Sequence, residues 1–237
     1  METIKRILED RIVERITPGK AILIFGTRRV GKTILMRKLV DNYPGRAMML
    51  NGEDFDTLAL LENRTIANYR HLLEGVELLA IDEAQNIPYI GNILKLIVDE
   101  VDGIRVLASA SSSFDLLDKT GEPLVGRGTQ FLLTPFSQRE IAQTETALDT
   151  RRNLEARLIY GSYPEVVMAG SFECKTDYLR DIVSAYLLKD ILTIDGLKNS
   201  NKMRELLRLV AFQLGCEVSY EELGKQLGMS KTTVEKY

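Results

Sequence analysis

Residues 26–33 read Gly-Thr-Arg-Arg-Val-Gly-Lys-Thr, and the patterns on either side of this octapeptide decide the fold. Before it lies Ala21–Phe25, an apolar run too short for a helix and bounded by glycines, which reads as a buried strand. After it, Ile34–Val40 carries a helical pattern. Strand, glycine-rich turn and helix is the setting in which G-x-x-x-x-G-K-[ST] becomes a phosphate-binding loop. Gly26 and Gly31 allow the backbone to curl until its N–H groups converge on phosphate oxygens. The helix that follows adds the positive end of its dipole. Lys32 is expected to reach the β and γ phosphates, and the Thr33 hydroxyl to ligate Mg2+.

Four more short apolar runs follow: Ala47–Leu50, Leu78–Ile81, Ile104–Ala108 and Phe131–Leu133. Helical patterns separate most of them, notably Ile90–Val101. Short apolar strands alternating with helices imply crossover connections, hence an α/β fold with a parallel five-stranded sheet and helices on both faces. This unit is expected over residues 18–136. An amphipathic helix precedes it within residues 1–17, with Ile4, Ile7, Leu8, Ile12 and Ile16 on one face, and Pro18-Gly19 ends it.

The run Leu78–Ile81 leads straight into Asp82-Glu83. Two adjacent carboxylates at the end of a buried strand are costly unless a cation or water meets them. Beside the phosphate loop, Asp82 would hold Mg2+ through its water shell and Glu83 would polarise an attacking water as general base. The same acids would also suit the start of a surface helix. Glu83 favours water over a small molecule as phosphoryl acceptor, which disfavours a small-molecule kinase. The strand at Ile104–Ala108 ends in Ser109-Ala110-Ser111-Ser112-Ser113, where a hydroxyl could sense the γ-phosphate; a Ser-rich turn reads equally well. Arg127, between Gly126 and Gly128, suits transition-state phosphate charge in cis or from a neighbouring subunit, and equally suits an ordinary surface position.

Beyond Pro135 the character changes. Ser137-Gln-Arg-Glu140 has the form of a capping box, so a helix is expected to start there. From Asn153 nearly everything reads as helix, including Tyr178–Ile194 and Lys202–Leu214. Residues 137–200 form the expected helical lid. Residues 201–237 form a partial winged helix, with a second capping signal at Ser219-Tyr-Glu-Glu222, a turn at Gly228 and a restart at Ser230.

Composition narrows the function classes. The chain has 237 residues, 45% apolar and 27% charged, with a net charge of −3, which describes an ordinary folded protein rather than a global nucleic-acid binder. Residues 1–46 nevertheless carry eleven Lys/Arg against five Asp/Glu, which suits a phosphate site or a solvated basic face. One histidine and two distant cysteines, Cys174 and Cys216, disfavour zinc and Cys/His catalysis and read as small apolar cysteines in a reducing compartment. No apolar run reaches the roughly 18–20 residues of a membrane span. A cytoplasmic location without membrane contact is expected.

Taken in order, GTRRVGKT, LLAIDEAQNIP, VLASASSSFDLL, PLVGRG, LTPFSQREI, YGSYPEVV, YLLKDIL and SYEELGKQLGMSKTTVEKY resemble the AAA+ P-loop ATPases. The resemblance is to a prokaryotic group close to the STAND and archaeal ATPases, in which the core is followed by a winged helix and a nuclease-like domain. It implies a Walker A loop over Gly26, Thr27, Arg28, Arg29, Val30, Gly31, Lys32 and Thr33, with Ile34 next to it, and a Walker B strand over 78–83. It also implies a sensor role within Ser109–Ser111, an arginine-finger-like role for Arg127 and a position near the γ-phosphate for Gln85. Tyr163-Pro164 would face the nucleotide from the helical part. Relatives often have Thr-Gly-Ser where this chain has Ser109-Ala110-Ser111, and they continue well past Tyr237.

The expected function is therefore ATP binding and Mg2+-dependent hydrolysis that drives a conformational change. The alternative is a slow, nucleotide-gated regulatory switch acting on or near DNA. Expected partners are the nucleotide, copies of the same chain, and DNA through the partial helix-turn-helix. Residues 217–237 carry three lysines against four glutamates, so they are not the basic stripe that strong DNA binding demands.

Overall fold

The strand β1, Lys20–Phe25, is buried at every position after Lys20, as a central parallel strand covered on both faces should be. This computed structural model describes residues 4–111, 124, 126–184 and 200–236. Around β1 the sheet adds β2 (Ala47–Asn51), β3 (Leu78–Asp82), β4 (Arg105–Ala110) and β5 (Gly128–Leu132), in the spatial order β2-β3-β4-β1-β5. Every pairing is parallel. The fold is thus the expected α/β arrangement.

Alternation along β1 feeds two apolar layers, because successive side chains leave opposite faces of a strand. Ala21, Leu23 and Phe25 join Leu61, Tyr69, Ile90, Ile93 and Ile97 on one face. Ile22 and Ile24 join Ile12, Val30, Leu35, Met36 and Leu39 on the other. The helices behind these residues are α1 (Ile7–Val13), α2 (Lys32–Asp41), α3 (Phe55–Glu62), α4 (Ile66–Leu72) and α5 (Ile90–Glu100). Helix α1 is shorter than the periodicity of its apolar residues indicates.

Strand β5 corrects the expected Phe131–Leu133. It starts at Gly128, and of its residues only Phe131 is buried. An edge strand needs one covered face, so the apolar run marks only part of it. Leu133 lies just past the strand, its N–H bonded to the Phe25 carbonyl at 2.6 Å.

The chain divides into two compact units, Met1–Val167 and Met168–Tyr237. The first holds the sheet together with α6 (Gln138–Ile141), α7 (Ala147–Arg152), α8 (Leu154–Tyr160) and the start of α9 (Pro164–Met168). The capping box at Ser137 and Glu140 is formed, and Thr146 with Asp149 builds a second one. The other unit holds α10 (Phe172–Ile182), α11 (Ser200–Phe212), α12 (Tyr220–Leu227) and α13 (Lys231–Lys236). Ser219 caps α12, and Gly228 ends it in the left-handed conformation. Met203, Leu206, Leu223, Leu227 and Val234 form a small core there.

Cys174 and Cys216 are exposed rather than packed as small apolar residues. Ser112, Ser113 and the part of the expected Tyr178–Ile194 helix beyond residue 184 lie outside the described residues. Among the described residues no helix is long and apolar enough to cross a membrane.

Candidate nucleotide-binding site

The octapeptide leaves β1 at its carboxyl end, on the rim where parallel α/β sheets bind ligands. Two backbone positions in it are left-handed, Arg29 at φ 61° and Gly31 at φ 100°. Gly26 is required for a different reason. A Cβ there would lie 2.4 Å from the Leu133 carbonyl oxygen, so the loop can leave β1 beside β5 only without a side chain. Val30 is fully buried and anchors the loop, whereas Thr27, Arg28, Arg29 and Ile34 are exposed.

Lys32 begins α2 and is 4% exposed. Its ammonium donates to the carbonyls of Gly26 at 3.0 Å and Thr27 at 3.2 Å, across the mouth of its own loop. Glu83 Oε1 lies 3.9 Å away. Burial pushes the lysine below its ordinary 10.5; the Glu83 and Asp82 carboxylates pull it back, and the Arg28 charge pushes it further down.

Asp82 ends β3 with both oxygens engaged. The Thr33 hydroxyl donates to Oδ2 at 2.6 Å, and the Ser109 hydroxyl, carried by β4, donates to Oδ1. Ser109 is fully buried and also accepts from the Glu83 N–H at 3.1 Å. It is thus Ser109 that meets the carboxylate pair, while Ser111 lies one residue past the end of β4. Glu83 does not open a surface helix. Its backbone is left-handed, φ 49° and ψ 42°, and leads into a single 3-10 turn, Ala84–Asn86. That turn returns Gln85 to Glu83, with Nε2 2.6 Å from Oε2.

Two contacts join the loop to the start of α9. Tyr163 donates from its hydroxyl to Thr27 Oγ1 at 3.1 Å, and Arg29 pairs with Glu165 at 3.3 Å. Pro164, between these two, opens α9.

Arg127 is not brought to this site within the chain. Its carbonyl accepts from the Ala21 N–H at 2.9 Å, level with the start of β1, while the phosphate loop leaves the other end. Five strand residues at about 3.3 Å each separate them by roughly 16 Å. Its guanidinium pairs with Asp99 at 2.6 Å.

The oxygens of Thr33 and Asp82 are hard donors on adjacent element ends, the set a magnesium ion takes alongside phosphate oxygens and water. Among the described residues no group of three His, Cys, Asp or Glu could hold a metal by itself.

Residues 18–142, more than half of the chain, match a family described as an AAA domain. The chain belongs to that family. Residues 151–237 match a domain of unknown function. An uncharacterised protein of Mycobacterium tuberculosis is 26% identical over 98% of this chain and 50% of its own length. An uncharacterised protein of Methanocaldococcus jannaschii is 18% identical over 98% of this chain and 55% of its own. The chain spans about half the length of these curated relatives. The Walker-type ATPase of Pyrococcus abyssi superposes with a TM-score of 0.51 at 17% identity, over 80% of this chain and 75% of that one, which is a likeness of fold.

Two residues around this site were not marked by sequence reading. Gly52 follows β2 and donates to the Asp82 carbonyl at 2.8 Å; a Cβ there would lie 2.4 Å from the Glu83 carbonyl oxygen. A glycine directly after an apolar strand was the available signal. Arg6 reaches the loop from the start of α1, donating to the Val30 carbonyl at 3.3 Å and to the Thr134 carbonyl, pairing with Glu140 at 3.0 Å and stacking 4.7 Å from the Phe136 ring centre. Nothing in the sequence around Arg6 sets it apart from the other N-terminal basic residues.

Proposed function

We propose that this chain binds ATP with Mg2+ and hydrolyses it, using the cycle to change conformation. The observation that carries this is the meeting of Lys32, Thr33, Asp82, Glu83 and Ser109 at the carboxyl ends of β1, β3 and β4. Loop N–H groups take the phosphate oxygens. Lys32 exchanges its two loop carbonyls for the β and γ phosphates. Thr33 and Asp82 would hold Mg2+, which would supply positive charge against the phosphates when bound. Glu83 accepts a proton from water as the water oxygen bonds to the γ-phosphorus. The bond from that phosphorus to the bridging oxygen breaks, giving ADP and phosphate. Ser109 holds the backbone of the base and the carboxylate beside it.

The test is steady-state phosphate release from ATP. Turnover should need Mg2+, stop with EDTA, and stop in Glu83→Gln while ATP stays bound. Parental turnover in Glu83→Gln would overturn the role of the base.

A second reading, a slow switch, is favoured by the bonds of Thr27 and Arg29 to Tyr163 and Glu165. A triphosphate in the loop competes for these loop side chains and so alters the α9 contact. Steady-state turnover below about 10⁻³ s⁻¹ with tight retention of product would favour the switch over continuous cycling.

A further inference from the structure

Glu83 is gripped on several sides. Its N–H donates to Ser109 Oγ at 3.1 Å. Its carbonyl accepts from the Asn86 N–H at 3.1 Å and lies so close to Gly52 that a Cβ there would come within 2.4 Å. Its left-handed backbone is strained for a residue with a side chain. The carboxylate is the part still free to turn. Gln85 meets it there: Nε2 donates to Oε2 at 2.6 Å, while Oε1 faces the Lys32 ammonium at 3.9 Å.

Gln85 itself is 8% exposed, and its own Oε1 is buried with no hydrogen-bond partner. A buried acceptor left unpaired forfeits its hydration without a replacement, and such groups call for a reason. Turning the amide over would not relieve the site. An ionised carboxylate only accepts, so Glu83 would then face an oxygen instead of a donor. The orphaned oxygen follows from keeping the N–H on Glu83. A left-handed residue, a one-turn 3-10 segment and an unsatisfied acceptor therefore all serve one hydrogen bond.

We infer that Gln85 is a positioning residue for Glu83: its amide fixes one carboxylate oxygen so that the other points to the phosphate side of the site, where Lys32 lies. This rests on the hydrolysis reading above. It also differs from direct contact of Gln85 with the γ-phosphate, because Gln85 acts through Glu83.

The experiment compares Gln85→Leu, Glu83→Gln and the double variant in the full chain, by ATP turnover, KM and thermal melting. Gln85→Leu removes the donor and the orphaned acceptor together. It should lower kcat by about 10- to 100-fold, part of the usual contribution of a general base, with KM within about twofold. Its melting temperature should be unchanged or higher, which a merely structural role would not give. In the Glu83→Gln background the same change should cost nothing further, since both act through one group. Parental kcat in Gln85→Leu with an inert Glu83→Gln overturns this inference alone. A raised KM with intact kcat, or losses that add, also overturns it in favour of direct nucleotide contact. Parental turnover in Glu83→Gln removes the role of Glu83 as base and this inference with it, whereas a parent chain that releases no phosphate from ATP sinks the hydrolysis reading.

Discussion

Thr33 and Asp82, 49 residues apart in the chain, are joined by a 2.6 Å hydrogen bond from the hydroxyl to Oδ2. The bond links the start of α2 to the end of β3, so the two oxygens proposed to hold Mg2+ are already together before an ion arrives. Asp82→Asn keeps the size of the side chain and removes its charge. Its ATP affinity in EDTA should stay within about twofold of the parent. The gain in affinity on adding Mg2+ should largely disappear, and turnover should drop by a factor of 100 or more, on the order of 3 kcal/mol. Titration of a fluorescent ATP analogue with and without Mg2+ checks the first two.

Lys32→Ala removes the ammonium that now bonds the Gly26 and Thr27 carbonyls. A charged hydrogen bond is worth about 1.5–3 kcal/mol, so ATP should bind roughly 10- to 100-fold more weakly. Adenosine, without phosphates, should be insensitive to the change. Isothermal titration with both ligands measures the difference.

Arg6 and Glu140 form a buried pair whose loss should be felt across the first unit. Burial pushes the Glu140 carboxyl up, but hydrogen bonds from the Ser137 and Ile7 N–H groups, the Arg6 charge and the Ser137 hydroxyl together hold it below its ordinary 4.5. The unfolded chain then binds the proton more readily. The stabilisation is present above about pH 4.5 and is lost as pH falls through the lower folded value. Arg6→Ala should cost about 3–5 kcal/mol at neutral pH. Glu140→Gln should flatten the fall in stability below pH 4.5, read from urea melts at several pH values.

Gly52→Ala places a methyl group against the Glu83 carbonyl. Overpacking of this kind costs about 1–3 kcal/mol, and here the shift falls on Glu83, the proposed base. Turnover should drop at least tenfold while ATP affinity changes by less than threefold. Phosphate release and equilibrium binding on the same preparation separate the two effects.

Arg127→Ala breaks an ion pair with Asp99 that is partly exposed and worth less than about 1 kcal/mol. Because Arg127 is level with the opposite end of β1 from the loop, ATP affinity in dilute protein should be unchanged. If parental turnover rises with protein concentration, the variant should lose that rise, because only another copy's Arg127 could reach the phosphates. Turnover measured across a hundredfold range of protein concentration provides the check.

Much of the fold was legible because buried parallel strands carry uninterrupted apolar runs. Ala21–Phe25 and Leu78–Ile81, inside the strands Lys20–Phe25 and Leu78–Asp82, stand out for that reason. Strand β5 was only partly legible, since an edge strand with one buried residue has little apolar pattern to offer. Arg127 suited a site because a guanidinium matches transition-state phosphate charge, yet charge does not say at which end of the sheet a residue lies. The pairing of Ala21 with Gly128 puts this one at the amino end.

By itself, the octapeptide at Gly26–Thr33 determined a phosphate-binding loop between a strand and a helix, since glycine freedom, lysine charge and a threonine hydroxyl are local properties. Only the tertiary structure decided which distant groups complete it. Parallel pairing of β3 with β4 brings Ser109 onto Asp82, and the left-handed turn at Glu83 carries Gln85 back to the Glu83 carboxylate. The Arg6–Glu140 pair spans 134 residues to brace the loop from behind. Hydrogen bonds between residues so far apart follow from strand order and register, which no window of sequence around either partner contains.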